Sequence, residues 1–364
     1  MLRGYLIGVP EDEIPTPALV VDAEVLESNI KTMMDHLATT DASIRPHSKT
    51  YKSPMIAHLL MRAGAIGQCC ATVGEAEVMV YSGLDSIFVA SEVVGAAKIR
   101  RLISLARYAE IMVAVDSAEN LADLSAAAVA GDVTLGVLVD VDVGMGRCGV
   151  RTVEAAVELS EAVHKASGIT LRGLFGYEGH TVMMTDRKKR EEEAKKANAF
   201  LMEAVKAVRD RGIPVEIVTA AGTGTFDIAS RYPGITEIEA GSFVFMDTTY
   251  SQVGLPFKQA ISVLSSVLSR PTDNEVVLDV GMKGISVERS TPIVRENSAL
   301  EILKLSEAHA GGKLVSAGYD PRPGDKLHLI PSHCCTTVNL YDEMVILRNG
   351  KVDAVWPTLA RGPY

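Results

Sequence analysis

The sequence predicts an α/β protein: a (β/α)8 TIM barrel over residues 20–255, with a β domain built from residues 1–19 and 256–364. Three observations carry that expectation. From about residue 20 to residue 250, eight short β-rich runs alternate with amphipathic helical runs. Strands joined by helical crossovers lie parallel, and eight of them suffice to close a barrel. After about residue 255 the pattern changes to strands punctuated by Gly, Pro, Asn and Asp, with little helix. Finally, 364 residues with 47% hydrophobic content can bury one large core and a smaller second one.

Taken in order, the barrel strands are expected at Ile44–His47, Ile66–Ala71, Ser86–Ala90, Ile111–Val115, Thr134–Val141, Leu171–Gly176, Val215–Thr219 and Thr236–Glu239. Each is a short apolar or β-branched run bounded by turn residues. Helical periodicity fills the intervals at Glu24–Leu37, Pro54–Ala63, Gly74–Ser82, Ala96–Tyr108, Ala118–Ala130, Val153–Ala166 and Arg187–Arg211. In the β domain, strands are expected at Val263–Leu268, Glu275–Val280, Lys326–Ile330, Thr336–Leu340, Glu343–Leu347 and Val352–Trp356. Asn349-Gly350 reads as a hairpin turn, and Thr16–Val21 is expected to pair with this domain.

A net charge of −10 argues against nucleic acid or an anionic membrane as partner. No apolar run approaches the roughly 18 residues of a spanning helix, and Met1–Pro17 shows no secretory pattern. The cysteines are Cys69, Cys70, Cys148, Cys334 and Cys335; an odd set with two adjacent pairs fits reduced thiols in a cytoplasmic protein, some of them metal-binding.

The stretch Arg45-Pro46-His47-Ser48-Lys49-Thr50-Tyr51-Lys52 follows a short apolar-to-polar segment, Ala42–Pro46. There, Lys49 would sit at the mouth of a barrel strand, partly desolvated and with a lowered pKa. Those conditions let an amine attack an aldehyde and hold a cofactor as a Schiff base. A surface loop with three cations is the alternative for the motif by itself. Gly144-Met145-Gly146-Arg147-Cys148-Gly149-Val150 leaves room for a planar ligand, with Arg147 reaching the barrel mouth. A guanidinium stays charged, so beside a pyridine nitrogen it leaves that nitrogen unprotonated; a surface salt bridge would use Arg147 as well. In Tyr177-Glu178-Gly179-His180, Tyr177 can cover one face of a flat cofactor and His180 can move protons near neutral pH. Gly222-Thr223-Gly224-Thr225, after the seventh strand, offers close backbone approach and hydroxyl donors to a phosphate, though tight turns use the same residues. In Pro331-Ser332-His333-Cys334-Cys335-Thr336, residues two apart on an extended segment share a face, so His333 and Cys335 form a soft pair suited to Zn²⁺, while Cys334 packs away from it. A buried cysteine beside a loop histidine would look the same.

Together these segments resemble the D-threonine aldolase and D-serine dehydratase group, pyridoxal-phosphate enzymes with the alanine-racemase-type barrel. The resemblance runs from about Thr16 to Tyr364 through Thr16-Pro17-Ala18-Leu19-Val20, Arg45-Pro46-His47-Ser48-Lys49, Ser91-Glu92-Val93-Val94-Gly95 and Gly146-Arg147-Cys148-Gly149-Val150. It continues in Gly222-Thr223-Gly224, Ala240-Gly241-Ser242-Phe243, Phe245-Met246-Asp247, Leu278-Asp279-Val280-Gly281 and Trp356-Pro357. It implies Lys49 as the Schiff-base lysine and Arg147 as partner of the pyridine nitrogen. It also implies Thr223, Gly224 and Thr225 as phosphate ligands alongside Gly222, helped by Tyr250, with His47 and Tyr177 close to the cofactor. His333 and Cys335 match the divalent-metal ligands, with zinc first and manganese or magnesium as alternatives. Family members are commonly homodimers. The chain departs from the family pattern at Ala220-Ala221, where glycines are usual, and at Ala71-Thr72, where Gln-Lys is usual. Its His-x-Cys pair is dehydratase-like inside an otherwise aldolase-like Thr336–Asp342 context.

The resemblance therefore implies a lyase acting on a small β-hydroxy-D-amino acid, by retro-aldol cleavage to glycine and an aldehyde. Lys49, Tyr177 and His180 would be its catalytic residues, with His180 or a metal-bound hydroxide as base. The alternatives are zinc-assisted β-elimination from D-serine or 3-hydroxyaspartate, racemisation without metal, and a non-catalytic cofactor carrier.

Overall fold

The computed structural model describes residues 4–362; residues 1–3 and 363–364, which the expected β domain includes, lie outside the described residues. The chain divides into two compact units. One holds the chain up to Thr32, Thr50–Met55 and Ser242–Arg361, and the other holds Met33–Lys49 and Ile56–Gly241.

The second unit is the barrel. Its eight strands are Ser43–Ile44, Gln68–Cys70, Ser86–Glu92, Glu110–Val115, Leu135–Asp140, Ile169–Gly176, Ile217–Ala220 and Glu237–Ile238. All adjacent pairs are parallel, and the first strand pairs with the eighth. The first and second strands meet at the His47–Cys69 bridge, where Ser48 N–H donates to Cys69 O at 2.7 Å and Cys69 N–H to Pro46 O at 3.0 Å. The ring closes there. Thr72, Ser117, Thr152 and Asp186 cap four of the crossover helices, each side chain accepting a first-turn N–H, and so set where those crossovers begin. Inward-facing Cys69, Phe88, Met112, Ala114, Leu138, Phe175 and Ile217 fill the ring, with Phe88 edge-on to Phe175 at 5.5 Å. Arg45 grips Glu237 through two bonds of 3.0 and 3.2 Å, both side chains buried, which ties the first strand to the eighth.

The other unit is a nine-stranded sheet. Ala18–Asp22 runs antiparallel to Ile261–Ser269 and parallel to Glu343–Arg348, joining an early segment of the chain to a late one. Leu6, Ile14, Ala18, Val20, Leu264, Val345, Leu347 and Val352 form its core. Asn349 and Gly350 hold φ of +52° and +69°, as a type I′ hairpin turn between Glu343–Arg348 and Lys351–Pro357 requires.

One expectation needs correction in this unit. The segment read as a strand at Thr336–Leu340 is a short helix, Cys334–Val338. Thr-Thr-Val is β-branched, but Thr337 accepts the Ser286 N–H and Thr336 bonds back to His333 O, so local and tertiary hydrogen bonds override propensity. Strands at Ile293–Val294, Leu300–Leu305 and Ala310–Leu314 were not anticipated, the last because it begins Ala-Gly-Gly. Asn29 bonds Val244 O, Lys258 O and Lys258 N–H, so the first two-thirds of helix Ala23–Leu37 and residues 242–258 stay with the β unit. Among the described residues no helix is long and apolar enough to cross a membrane.

Candidate active site

Because every barrel strand points the same way, all eight C-terminal ends reach one rim. Lys49 lies just past the first strand, Tyr177 past the sixth, and Ala221 past the seventh. Lys49 is half-buried, and its Nζ stands 5.8 Å from the Tyr177 ring centre. The guanidinium carbon of Arg147, from the exposed loop after the fifth strand, lies 6.0 Å from the same ring centre. One tyrosine is thus flanked by the lysine and the arginine that the motifs singled out. Gly222 comes up against this ring: a Cβ there would stand 3.2 Å from Tyr177 Cε2. Any Cβ on Gly224 would lie 1.7 Å from Val182 O, so only glycine fits. His180 is exposed beside the Gly144 loop; a Cβ on Gly144 would sit 3.0 Å from its Cε1.

The structure does not leave Thr225 facing outward with its hydroxyl. That hydroxyl donates to Glu178 at 2.6 Å and accepts the Gly222 N–H at 3.3 Å. Ala221 holds φ +69°, a left-handed conformation that costs a residue with a Cβ about 1 kcal/mol, offset by its N–H bond to Glu178. His47 is buried and serves the ring closure through its backbone. Tyr250 belongs to the β unit, on the short helix Thr248–Ser251 capped by Asp247. Three basic residues outside the ring-facing set are engaged: Lys52 with Cys335 O at 2.9 Å, Lys283 with Glu307, and Arg289 with Glu288.

The residues present fit pyridoxal phosphate. An amine that can bond an aldehyde, a permanent cation for a ring nitrogen, an aromatic face and a glycine turn with threonine donors surround one position on the barrel rim.

Two rim carboxyls were not anticipated. Glu239 is buried past the eighth strand, accepting the Thr219 hydroxyl at 2.9 Å and the Cys69 thiol at 3.4 Å. Burial pushes it up to about 7 against those bonds and the nearby Lys49 charge. Asp140 is likewise pushed up, by burial and then by the charge and hydrogen bond of Glu92, while Arg147 opposes. A carboxyl whose folded pKa exceeds its unfolded value supports folding below the unfolded value and loses that support as pH rises through the folded one. Glu239→Gln is therefore expected to narrow the stability lost between pH 5 and pH 8 by up to about 3 kcal/mol. Urea-unfolding midpoints at the two pH values check this; equal losses in both proteins would refute it.

In the β unit, His333 stands just before the short helix Cys334–Val338, and its Nδ1 lies 2.8 Å from Glu288 Oε2. Burial disfavours the imidazolium, but bonds to Cys335 and Glu288 outweigh it and raise His333 to about 9. Cys335 is held well below an ordinary thiol by the Cys334 hydrogen bond, then by His333 and Lys52, against its burial. Thr50 Oγ1 and Ser242 Oγ also approach its sulfur, at 3.4 and 3.8 Å. Cys334 is fully buried, with its N–H on Asp247. A thiolate beside an imidazole whose far nitrogen meets a carboxylate fits a divalent metal's donor set. Lys49 and Thr50, consecutive in the chain, belong to the two different units.

Residues 21–249 match the alanine racemase N-terminal domain, and residues 260–347 match a putative serine dehydratase domain. A D-threonine aldolase of Arthrobacter sp. is 34% identical over 98% of this chain and 95% of its own length. A 3-hydroxy-D-aspartate aldolase of Paracoccus denitrificans (strain Pd 1222) is 37% identical over the same shares. The crystal structure of D-threonine aldolase from Filomicrobium marinum superposes with a TM-score of 0.95 at 34% identity, covering 98% of both chains.

Proposed function

Because the chain belongs to the alanine racemase-type family of pyridoxal-phosphate enzymes that includes the D-threonine aldolases, we propose that it cleaves β-hydroxy-D-amino acids to glycine and an aldehyde with the help of a divalent metal. The observation that carries the aldol reading is full-length likeness to two aldolases whose substrates bear a β-hydroxyl. Pyridoxal phosphate, when bound, supplies a sink for the electron pair left on Cα, and a divalent metal supplies a Lewis acid for the β-hydroxyl.

The chain's residues do the rest. Lys49 would hold the cofactor through its aldehyde carbon. Arg147 donates to the ring nitrogen without protonating it, which limits electron withdrawal. Tyr177 backs the ring, and the turn at Gly222–Thr225 takes the phosphate. His333 and Cys335 hold the metal, with Glu288 orienting the imidazole. His180 accepts the β-hydroxyl proton as the Cα–Cβ bond breaks. The same reading takes zinc as the metal, a homodimer as the assembly and the cytoplasm as the compartment, in keeping with five unpaired thiols.

Elimination of the β-hydroxyl is the second reading, favoured by the Cys335 thiolate and the dehydratase-type domain at 260–347. Incubation with D-threonine and D-serine separates the two. Acetaldehyde and glycine from D-threonine are expected; 2-oxobutyrate or pyruvate with ammonia would replace the aldol reading. Chelator-resistant appearance of the L-enantiomer would replace both with racemisation.

A further inference from the structure

The turn after the seventh barrel strand is braced from one neighbouring segment. Glu178 is fully buried, and its two carboxylate oxygens divide their work: one accepts the Ala221 N–H at 3.1 Å, the other the Thr225 hydroxyl at 2.6 Å. These bonds grip both ends of the Ala221–Thr225 turn. The Glu178 segment is itself folded back, because Thr181 donates both its N–H and its hydroxyl to Glu178 O at 2.9 Å. That fold brings Val182 O against Gly224, where a Cβ would lie 1.7 Å away. These contacts help keep Ala221 at φ +69°, a conformation that glycine would adopt at little cost.

We propose that Glu178 is the positioning residue of the cofactor's phosphate site. It commits the Thr225 hydroxyl, which also takes the Gly222 N–H, to holding the turn, so that Thr223 and the Gly224 N–H take the anion. This rests on the pyridoxal-phosphate reading above and assigns to Thr225 a supporting role instead of a ligand's. Beside an anion site, acceptor oxygens do not bind phosphate themselves; Glu178 contributes there through the donors it fixes.

The test compares two aldehydes that differ only in the phosphate. Apo enzyme is titrated with pyridoxal phosphate and, separately, with pyridoxal, following the visible absorbance of the Lys49-bound aldehyde. Glu178→Ala is expected to weaken pyridoxal phosphate by about 10- to 100-fold, the loss usual when a group that orients a binding element is removed, while pyridoxal changes by no more than about twofold. Glu178→Gln keeps one acceptor oxygen and is expected to fall between Glu178→Ala and wild type; it decides the matter should the alanine variant fail to fold. Equal weakening of both aldehydes would show general damage to the rim and overturn the assignment, as would unchanged affinity for both. If the wild-type protein takes up neither aldehyde at Lys49, the cofactor reading fails first and the assignment falls with it.

Discussion

Lys49→Ala protein is expected to lose cleavage of β-hydroxy-D-amino acids by on the order of 10³-fold or more, the scale lost with a positioned proton-transfer and nucleophilic group. Lys49→Arg should fare no better. Its guanidinium keeps the charge but stays protonated, and it cannot form the covalent bond to an aldehyde. The argument is geometric as well as chemical. Lys49 follows the first barrel strand, where the chain passes from the closed ring to the rim, and its amine is half-buried 5.8 Å from the Tyr177 ring centre. Borohydride reduction of the wild-type protein followed by peptide mapping should label Lys49. A wild-type protein active on D-threonine with Lys49 unlabelled would remove the basis of the assignment.

His333→Ala and Cys335→Ala are expected to release the metal and to abolish cleavage while leaving cofactor uptake at Lys49 intact. The two proposed ligands act through each other. The imidazole and the thiol are hydrogen-bonded, which favours thiolate at Cys335 and cation at His333 in the absence of metal. A divalent metal held there would be ligated by the Cys335 thiolate and by His333 with its imidazole neutral. Glu288→Gln should weaken metal by about 10- to 100-fold, since it removes only the carboxylate behind the His333 ring. Metal content after dialysis and activity against added zinc measure this order. Wild-type metal retention in both ligand variants would place the metal elsewhere.

How far these residues were legible follows from how each is partnered. Lys49, Tyr177 and Arg147 were readable because each follows a barrel strand closely, and parallel strands deliver their C-terminal ends to one rim. The eight strands themselves were marked by short apolar runs and were found within a few residues of their expected places. Glu178 stood in a motif noticed for its tyrosine and histidine, yet its role depends on Ala221 and Thr225, 43 and 47 residues away. Glu239 ends a strand candidate in full view, but its thiol partner Cys69 is 170 residues distant. No local pattern announces such pairs. The Cys334–Val338 helix was misread for a related reason: β-branched residues carry a strand preference that hydrogen bonds to Ser286 and His333 reverse.

The amino-acid order alone determined the alternation that makes a parallel ring, the lysine and glycine turns at strand ends, and the adjacent His-x-Cys pair. These are periodicities and spacings within a few residues, which the backbone geometry of strand and helix translates directly into place. Only the folded chain decided which carboxyls are buried, which hydroxyl is committed to bracing a turn, and where one compact unit ends and the other begins. Those outcomes depend on desolvation and on hydrogen-bond partners that closure of the barrel brings together from distant parts of the sequence.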